Sequence, residues 1–146
     1  RRCIESERRV FRFWLTAVGN VDRCGTGSNV TQISGDAVGA IAMTEPGAGS
    51  DLQAMKCQAK KVDGGYNISG QKTFITNGQH ADVCIVAAKT DVNAGAKGIS
   101  LFLLQKSDEG YDVGTNLKKI GQHSGDTSEL FFNDAFAKEP LGELNL

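Results

Sequence analysis

Turn dipeptides punctuate the chain at intervals that strands can fill and helices cannot. Asp63-Gly64-Gly65 supplies the positive φ angles of a tight hairpin turn, and Asn77-Gly78 is a second turn signal of the same strength. Ahead of the first turn, Met55, Cys57 and Ala59 alternate with Lys56, Gln58 and Lys60, the period of a half-buried strand. Behind it, Tyr66-Asn67-Ile68-Ser69 and Thr73-Phe74-Ile75-Thr76 form a returning strand, broken at Gly70. A further strand is expected at 39–43, and three more at 82–89, 99–105 and 129–133, where the runs are apolar and rich in β-branched or aromatic residues. Asn93, Gly95 and Gly98, then Ser107-Asp108-Glu109-Gly110, mark the loops between them. No helical period separates these strands. The expectation is a mainly β body, an antiparallel sandwich or open β-barrel, and not a βαβ fold.

The stretch before this body differs in character. All six arginines precede position 24 and all ten lysines follow position 55, and the only tryptophan, Trp14, lies among the arginines. Ile4, Phe11, Trp14, Leu15 and Val18 recur at helical spacing, so an amphipathic helix is expected over 4–18. The expected organisation is a helical N-terminal segment, 1–33, ahead of a β domain, 34–146. A net charge of −1 excludes a binder that lives on neutralising phosphates, so no nucleic-acid partner is expected. Apolar runs such as 83–88 reach six residues, against the ~20 that a membrane helix needs, so no membrane partner is expected either. Cys3, Cys24, Cys57 and Cys84 form no C-x-x-C pair and no Cys/His cluster, which argues against zinc and for reduced thiols inside a cell. Glu5 and Glu7 speak against an organelle transit peptide, and no secretory signal accompanies the sequons Asn29-Val30-Thr31 and Asn67-Ile68-Ser69. His80 and Asp82 could ligate a metal, but two side chains without a third are usually surface loop. Lys60-Lys61 and Lys118-Lys119 read as solvated strand ends.

The chemically loudest segment is Ala42-Met43-Thr44-Glu45-Pro46-Gly47-Ala48-Gly49-Ser50-Asp51. A strand runs into a loop with two glycines, where successive N–H groups can face one concavity and bind an anion such as pyrophosphate. Ser50 can add a donor, and Thr44 can point a hydroxyl at a heteroaromatic ring. The third glycine of the dinucleotide fingerprint is absent, as is the Gly-Lys-Ser/Thr of a P-loop. Ser50 directly follows Gly49 and precedes Asp51, which does not fit a nucleophile elbow. Taken alone, the loop is equally well a glycine-rich surface turn.

Read with the rest of the chain, this segment, with Ala54 three residues further on, resembles the first signature of the acyl-CoA dehydrogenase flavoproteins. Gly70-Gln71-Lys72-Thr73-Phe74-Ile75-Thr76-Asn77-Gly78 resembles that family's second flavin-contacting strand and turn. Gly98-Ile99-Ser100-Leu101-Phe102, Lys119-Ile120-Gly121 and Asp126-Thr127-Ser128-Glu129-Leu130-Phe131-Phe132 continue the match in order. The resemblance covers about 34–145 and implies the family's middle β-domain, with FAD as cofactor and an acyl-CoA thioester as substrate. It implies that Met43 and Thr44 address the pyrimidine side of the flavin ring. Gly47, Gly49 and Ser50 would take the pyrophosphate, with Ser50 also bordering the substrate's pantetheine arm. Phe74 would cover the flavin face away from substrate, and Ile75 and Thr76 would line the strand beside it, with Thr76 as the donor near N5. These roles suit the residue types: amides for phosphate, an aromatic plate for stacking, hydroxyls for the ring edge.

Where many members of the family have Arg-x-Ser-Asp-Thr, this chain has His123-Ser124-Gly125-Asp126-Thr127, so roles of that arginine and serine do not carry over. The resemblance also implies that the catalytic glutamate belongs to a helical domain outside the matched stretch. No catalytic residue is therefore expected here, and the chain alone is expected to be inactive. The rival expectation is a stand-alone domain that keeps the fold as a ligand-binding or interaction module. Apolar surface around Phe74 and Ile75, left without covering helices, predicts a homo-oligomer. The expected compartment is the cytoplasm, or the mitochondrial matrix in a eukaryote.

Overall fold

Seven strands appear among the described residues: β1 (Gly39–Ala42), β2 (Gln58–Val62), β3 (Gly65–Thr76), β4 (Val83–Lys89), β5 (Ile99–Gln105), β6 (Tyr111–Asn116) and β7 (Thr127–Ala137). They come from a computed structural model that describes residues 37–142 and 144. The expected helix over 4–18 and the expected boundary between 33 and 34 lie outside the described residues.

The strands make one curled sheet. β5 pairs with β4 along its whole length, from Val83↔Gln105 to Lys89↔Ile99. That leaves β4 a single free edge, which β1 and β2 share: β1 pairs in parallel from Gly39↔Val83 to Ala42↔Val86, and β2 joins at Gln58↔Lys89. From β2 the sheet continues antiparallel through β3 and β7 to β6. The β2–β3 hairpin closes on Val62↔Gly65, with Gly64 at φ 81 in the turn, as the Asp63-Gly64-Gly65 signal predicts.

Two of the differences from the sequence reading are instructive. Gly70 does not break its strand, because β3 runs unbroken through it at φ 154. A Cβ there would sit 2.7 Å from the Cα of Cys57, so the glycine permits close approach to the neighbouring chain. The second is β6, which the sequence reading omits. Its Tyr111-Asp112-Val113-Gly114-Thr115-Asn116 carries only two large apolar side chains, and it is an edge strand with one partner.

Three register shifts bend the sheet. Between Ile68↔Ala135 and Gly70↔Phe132 the extra residue lies in β7, where Asp134 has φ 55 and accepts from Ser69 Oγ at 2.6 Å. Between Lys72↔Leu130 and Ile75↔Ser128 the extra residue lies in β3, where Phe74 has φ 59. β6 carries its own between Val113 and Asn116, opposite the same turn of β7. Bulges on both sides of Glu129 increase the local twist and curl that end of the sheet.

The concave side holds the core, where Ile68, Val86, Phe102, Leu104, Leu130 and Phe132 are buried beside Cys57 and Cys84. Burial pushes the Cys57 thiol up from 9.0 to about 11 and that of Cys84 to about 12. Burial also raises the Tyr111 phenol, with Cys84 beside it adding to the effect. The folded chain thus keeps the two thiol protons, which the unfolded chain releases near pH 9. The stability tied to these thiols is complete below that pH and is lost as pH rises towards 11–12. At pH 10 the loss is on the order of 1 kcal/mol per thiol. Urea midpoints are expected to fall between pH 8 and pH 10; equal midpoints would mean that the thiols are not buried.

Candidate functional site

β1 and β2 run in the same direction along one edge of β4, so together they read as one strand line interrupted by an excursion. The excursion, 43–57, contains the glycine loop. It leaves at Met43 and Thr44, and Thr44 stays beside β3 through a bond from the Thr73 N–H to its carbonyl, 2.9 Å. It then turns sharply, with the Glu45 N–H donating to the Ala48 carbonyl at 2.9 Å and the Ala48 N–H to that of Glu45 at 3.1 Å. Pro46, with its preset φ and no N–H, suits this turn. A short 3-10 turn, Leu52–Ala54, follows, capped by Asp51, whose Oδ1 accepts from the Gln53 N–H at 3.1 Å.

The base of the loop is closed by charge. Glu45 Oε2 accepts from the Lys56 N–H at 2.6 Å, and Oε1 accepts from the Cys57 N–H at 3.0 Å. Lys72 Nζ donates to the same Oε1 at 2.9 Å and to the Met43 carbonyl at 3.1 Å. Both side chains are buried, Lys72 at 0% exposure and Glu45 at 6%. This ion pair occupies the gap where the strand line is broken.

The outer part of the loop is open. Gly47, Gly49 and Ser50 are exposed, and their N–H groups have no partner among the described residues. Neither glycine has a positive φ, and a Cβ added to either meets nothing within 4 Å. Nothing among the described residues therefore requires glycine here. What glycine provides is bare backbone facing outwards.

Beside the loop, the β3 bulge turns Phe74 outwards to 65% exposure. A bulky residue at φ 59 is a rare and strained conformation, of the kind that collects at functional sites. Thr76 is exposed two residues on, whereas Ile75 between them is 2% exposed and packs in the core. The side chain of Ile75 thus faces the core and adds nothing to the exposed apolar surface, since the bulge at Phe74 shifts the parity of β3 and sends it inwards. Met43 and Thr44 are half-buried and are brought to β3 by the Thr73–Thr44 bond; Gly47, Gly49 and Ser50 lie beyond the turn.

Sequence reasoning overlooks Lys72, although a signal exists. Ile68 and Lys72 share the inward parity of β3, and a lysine at a core position is tolerated only when paired. It also overlooks Asp126, whose Oδ2 accepts from the Gln79 N–H at 2.6 Å while its Oδ1 lies 3.4 Å from His80 Nδ1. Asp82 is engaged elsewhere, accepting from the Val38 N–H at 2.8 Å, so His80 and Asp82 serve different contacts. Lys119 is more than a solvated strand end, since its Nζ donates to the Gly125 carbonyl and to Thr127 Oγ1.

A single curled sheet with a loop rising from a broken strand line defines a particular class of β domain. The Acyl-CoA dehydrogenase, middle domain, pattern matches residues 40–135. The chain belongs to the acyl-CoA dehydrogenase family, through that domain. It is 50% identical over 107 residues to the mitochondrial isovaleryl-CoA dehydrogenase of Arabidopsis thaliana, covering 73% of this chain and 26% of that protein. Among solved structures, the acyl-CoA dehydrogenase from Geobacillus kaustophilus is 43% identical with a TM-score of 0.75, over 85% of this chain and 35% of that one. A structure of PigA with FAD and proline is 36% identical with a TM-score of 0.78, over 87% of this chain and 35% of that one. The chain thus spans about a quarter of the length of the curated relatives it matches.

Proposed function

We propose that this chain is a FAD-binding β domain of an acyl-CoA dehydrogenase and that it lacks dehydrogenase activity by itself. The observation that carries the reading is the bond from the Thr73 N–H to the Thr44 carbonyl. It joins the exposed aromatic and hydroxyl of Phe74 and Thr76 to the strand end from which the open loop departs. The residues suit the cofactor: unpartnered N–H groups at Gly47, Gly49 and Ser50 for pyrophosphate, a ring at Phe74, hydroxyls at Thr44 and Thr76. The related PigA structure, with FAD, supports the same assignment.

FAD, when bound, supplies the acceptor for a hydride from the acyl-CoA substrate. The part of this chain is to bind and orient. Thr44 and Thr76 offer hydroxyls to the polar ring edge, and Phe74 covers one face and excludes water from it. Gly47, Gly49 and Ser50 offer amide dipoles to the phosphates, which act as fixed positive partial charges. Ser50 also borders the thioester's pantetheine arm in this reading.

Because Gly49 is open to solvent at φ below zero, Gly49→Val leaves the fold intact and blocks only what approaches from outside. Flavin titration is expected to show no binding for this variant. Ser50→Ala, which keeps the N–H but removes the hydroxyl as a second donor to the pyrophosphate, should cost about 1.5–3 kcal/mol of affinity, the range for a hydrogen bond to a charged group. Identical titrations for wild type and Gly49→Val would remove the loop from the cofactor site.

A further inference from the structure

We infer that the buried Lys72–Glu45 pair is a positioning device, which sets the backbone of Met43 to Ala48 before any ligand arrives. The inference rests on the flavin reading for its purpose, though not for its geometry. Every bond of the pair other than the ion pair itself ends on backbone at the two ends of the excursion: the Met43 carbonyl at one, the Lys56 N–H and the Cys57 N–H at the other. A strand line interrupted for an excursion of this size loses its ladder at the gap, and the ends of the excursion are free to splay. Lys72 reaches into that gap from β3 and ties down the departing end, while Glu45 ties the departing end to the returning one. Thr73, the next residue of β3, can then hold the Thr44 carbonyl at 2.9 Å. A buried ion pair usually contributes little more stability than a well-packed apolar pair. Fixing a loop in its binding conformation is a different gain, since it removes an ordering cost at the moment of binding.

The test is the double variant Glu45→Gln/Lys72→Met in the full chain. It leaves no buried charge unpaired, so the sheet is expected to fold. However, the thioether introduced by Lys72→Met gives the Met43 carbonyl no donor, and Glu45→Gln turns one acceptor oxygen into an NH2 group that cannot accept. Amide hydrogen exchange is read at Lys56, Cys57 and Thr73, relative to amides of the β4–β5 ladder, which report global opening. Exchange at Thr73 and at one or both of Lys56 and Cys57 is expected to accelerate about tenfold or more on that scale. FAD affinity should fall about tenfold or more in parallel. Unchanged relative exchange at all three amides overturns the inference. Absence of FAD binding by the wild type would instead remove the flavin reading, while exchange still decides the positioning role. If the double variant does not fold, Glu45→Asp, which keeps a counter-ion for Lys72 but is one methylene short of the Lys56 and Cys57 N–H groups, reads the same amides, and unchanged exchange at Lys56 and Cys57 is again the overturning result.

Discussion

The 146-residue chain, incubated with saturating FAD, an artificial electron acceptor and acyl-CoAs of several chain lengths, is expected to produce no enoyl-CoA above a no-protein blank. The α-proton of a thioester is weakly acidic and must be taken by a positioned base while hydride leaves the β-carbon. A missing general base typically loses ~10²–10⁴ in rate. Loss of orientation between reacting groups removes more. The two carboxylates of the glycine loop cannot substitute. Both oxygens of Glu45 accept N–H groups at the loop base, and its side chain is buried. Asp51 is exposed, but its Oδ1 caps the 3-10 turn at Gln53. Reproducible enoyl-CoA formation that disappears with Thr76→Ala would show that the chain supplies its own base.

Lys72→Met alone should be among the most destabilising single substitutions in the domain. It leaves the Glu45 carboxylate buried without its cation, and breaking such a pair typically costs about 3–5 kcal/mol. A domain of this size has about 5–15 kcal/mol of stability in total, so the variant loses a large part of it or fails to fold. Addition of Glu45→Gln should restore most of the loss, because the orphaned charge is then gone. Urea denaturation measures both. A Lys72→Met midpoint equivalent to within about 1 kcal/mol of wild type would mean that the carboxylate finds water, contrary to its 6% exposure.

Much of the domain is legible from local pattern. The strands at 99–105 and around 82–89 announce themselves because both their faces are apolar, and the hairpin at Asp63-Gly64 because its turn needs residues that tolerate positive φ. The loop motif and its neighbours suffice to recognise the family, since residue identities at a glycine-rich loop are set by what must approach the backbone. By contrast, β6 pairs only at one edge and carries little apolar surface, and so leaves no clear trace in the sequence.

Other features depend on which segments meet. The parallel placement of β1 on the edge of β4 that β2 also uses follows from a long-range pairing that no local pattern encodes. The outward turn of Phe74 is of the same kind: alternation from Ile68 and Lys72 would place it inwards, and it is the extra residue opposite β7 that turns it out at φ 59. The same holds for Ile75, which belongs to the motif by identity but to the core by position. The sequence by itself determined the kind of elements, their turns and the family, because these depend on propensities and on side chains close along the chain. Only the tertiary structure decided that Lys72 and Glu45, 27 residues apart, close the gap at the base of the loop, because a buried charge is stable only where a distant segment brings its partner.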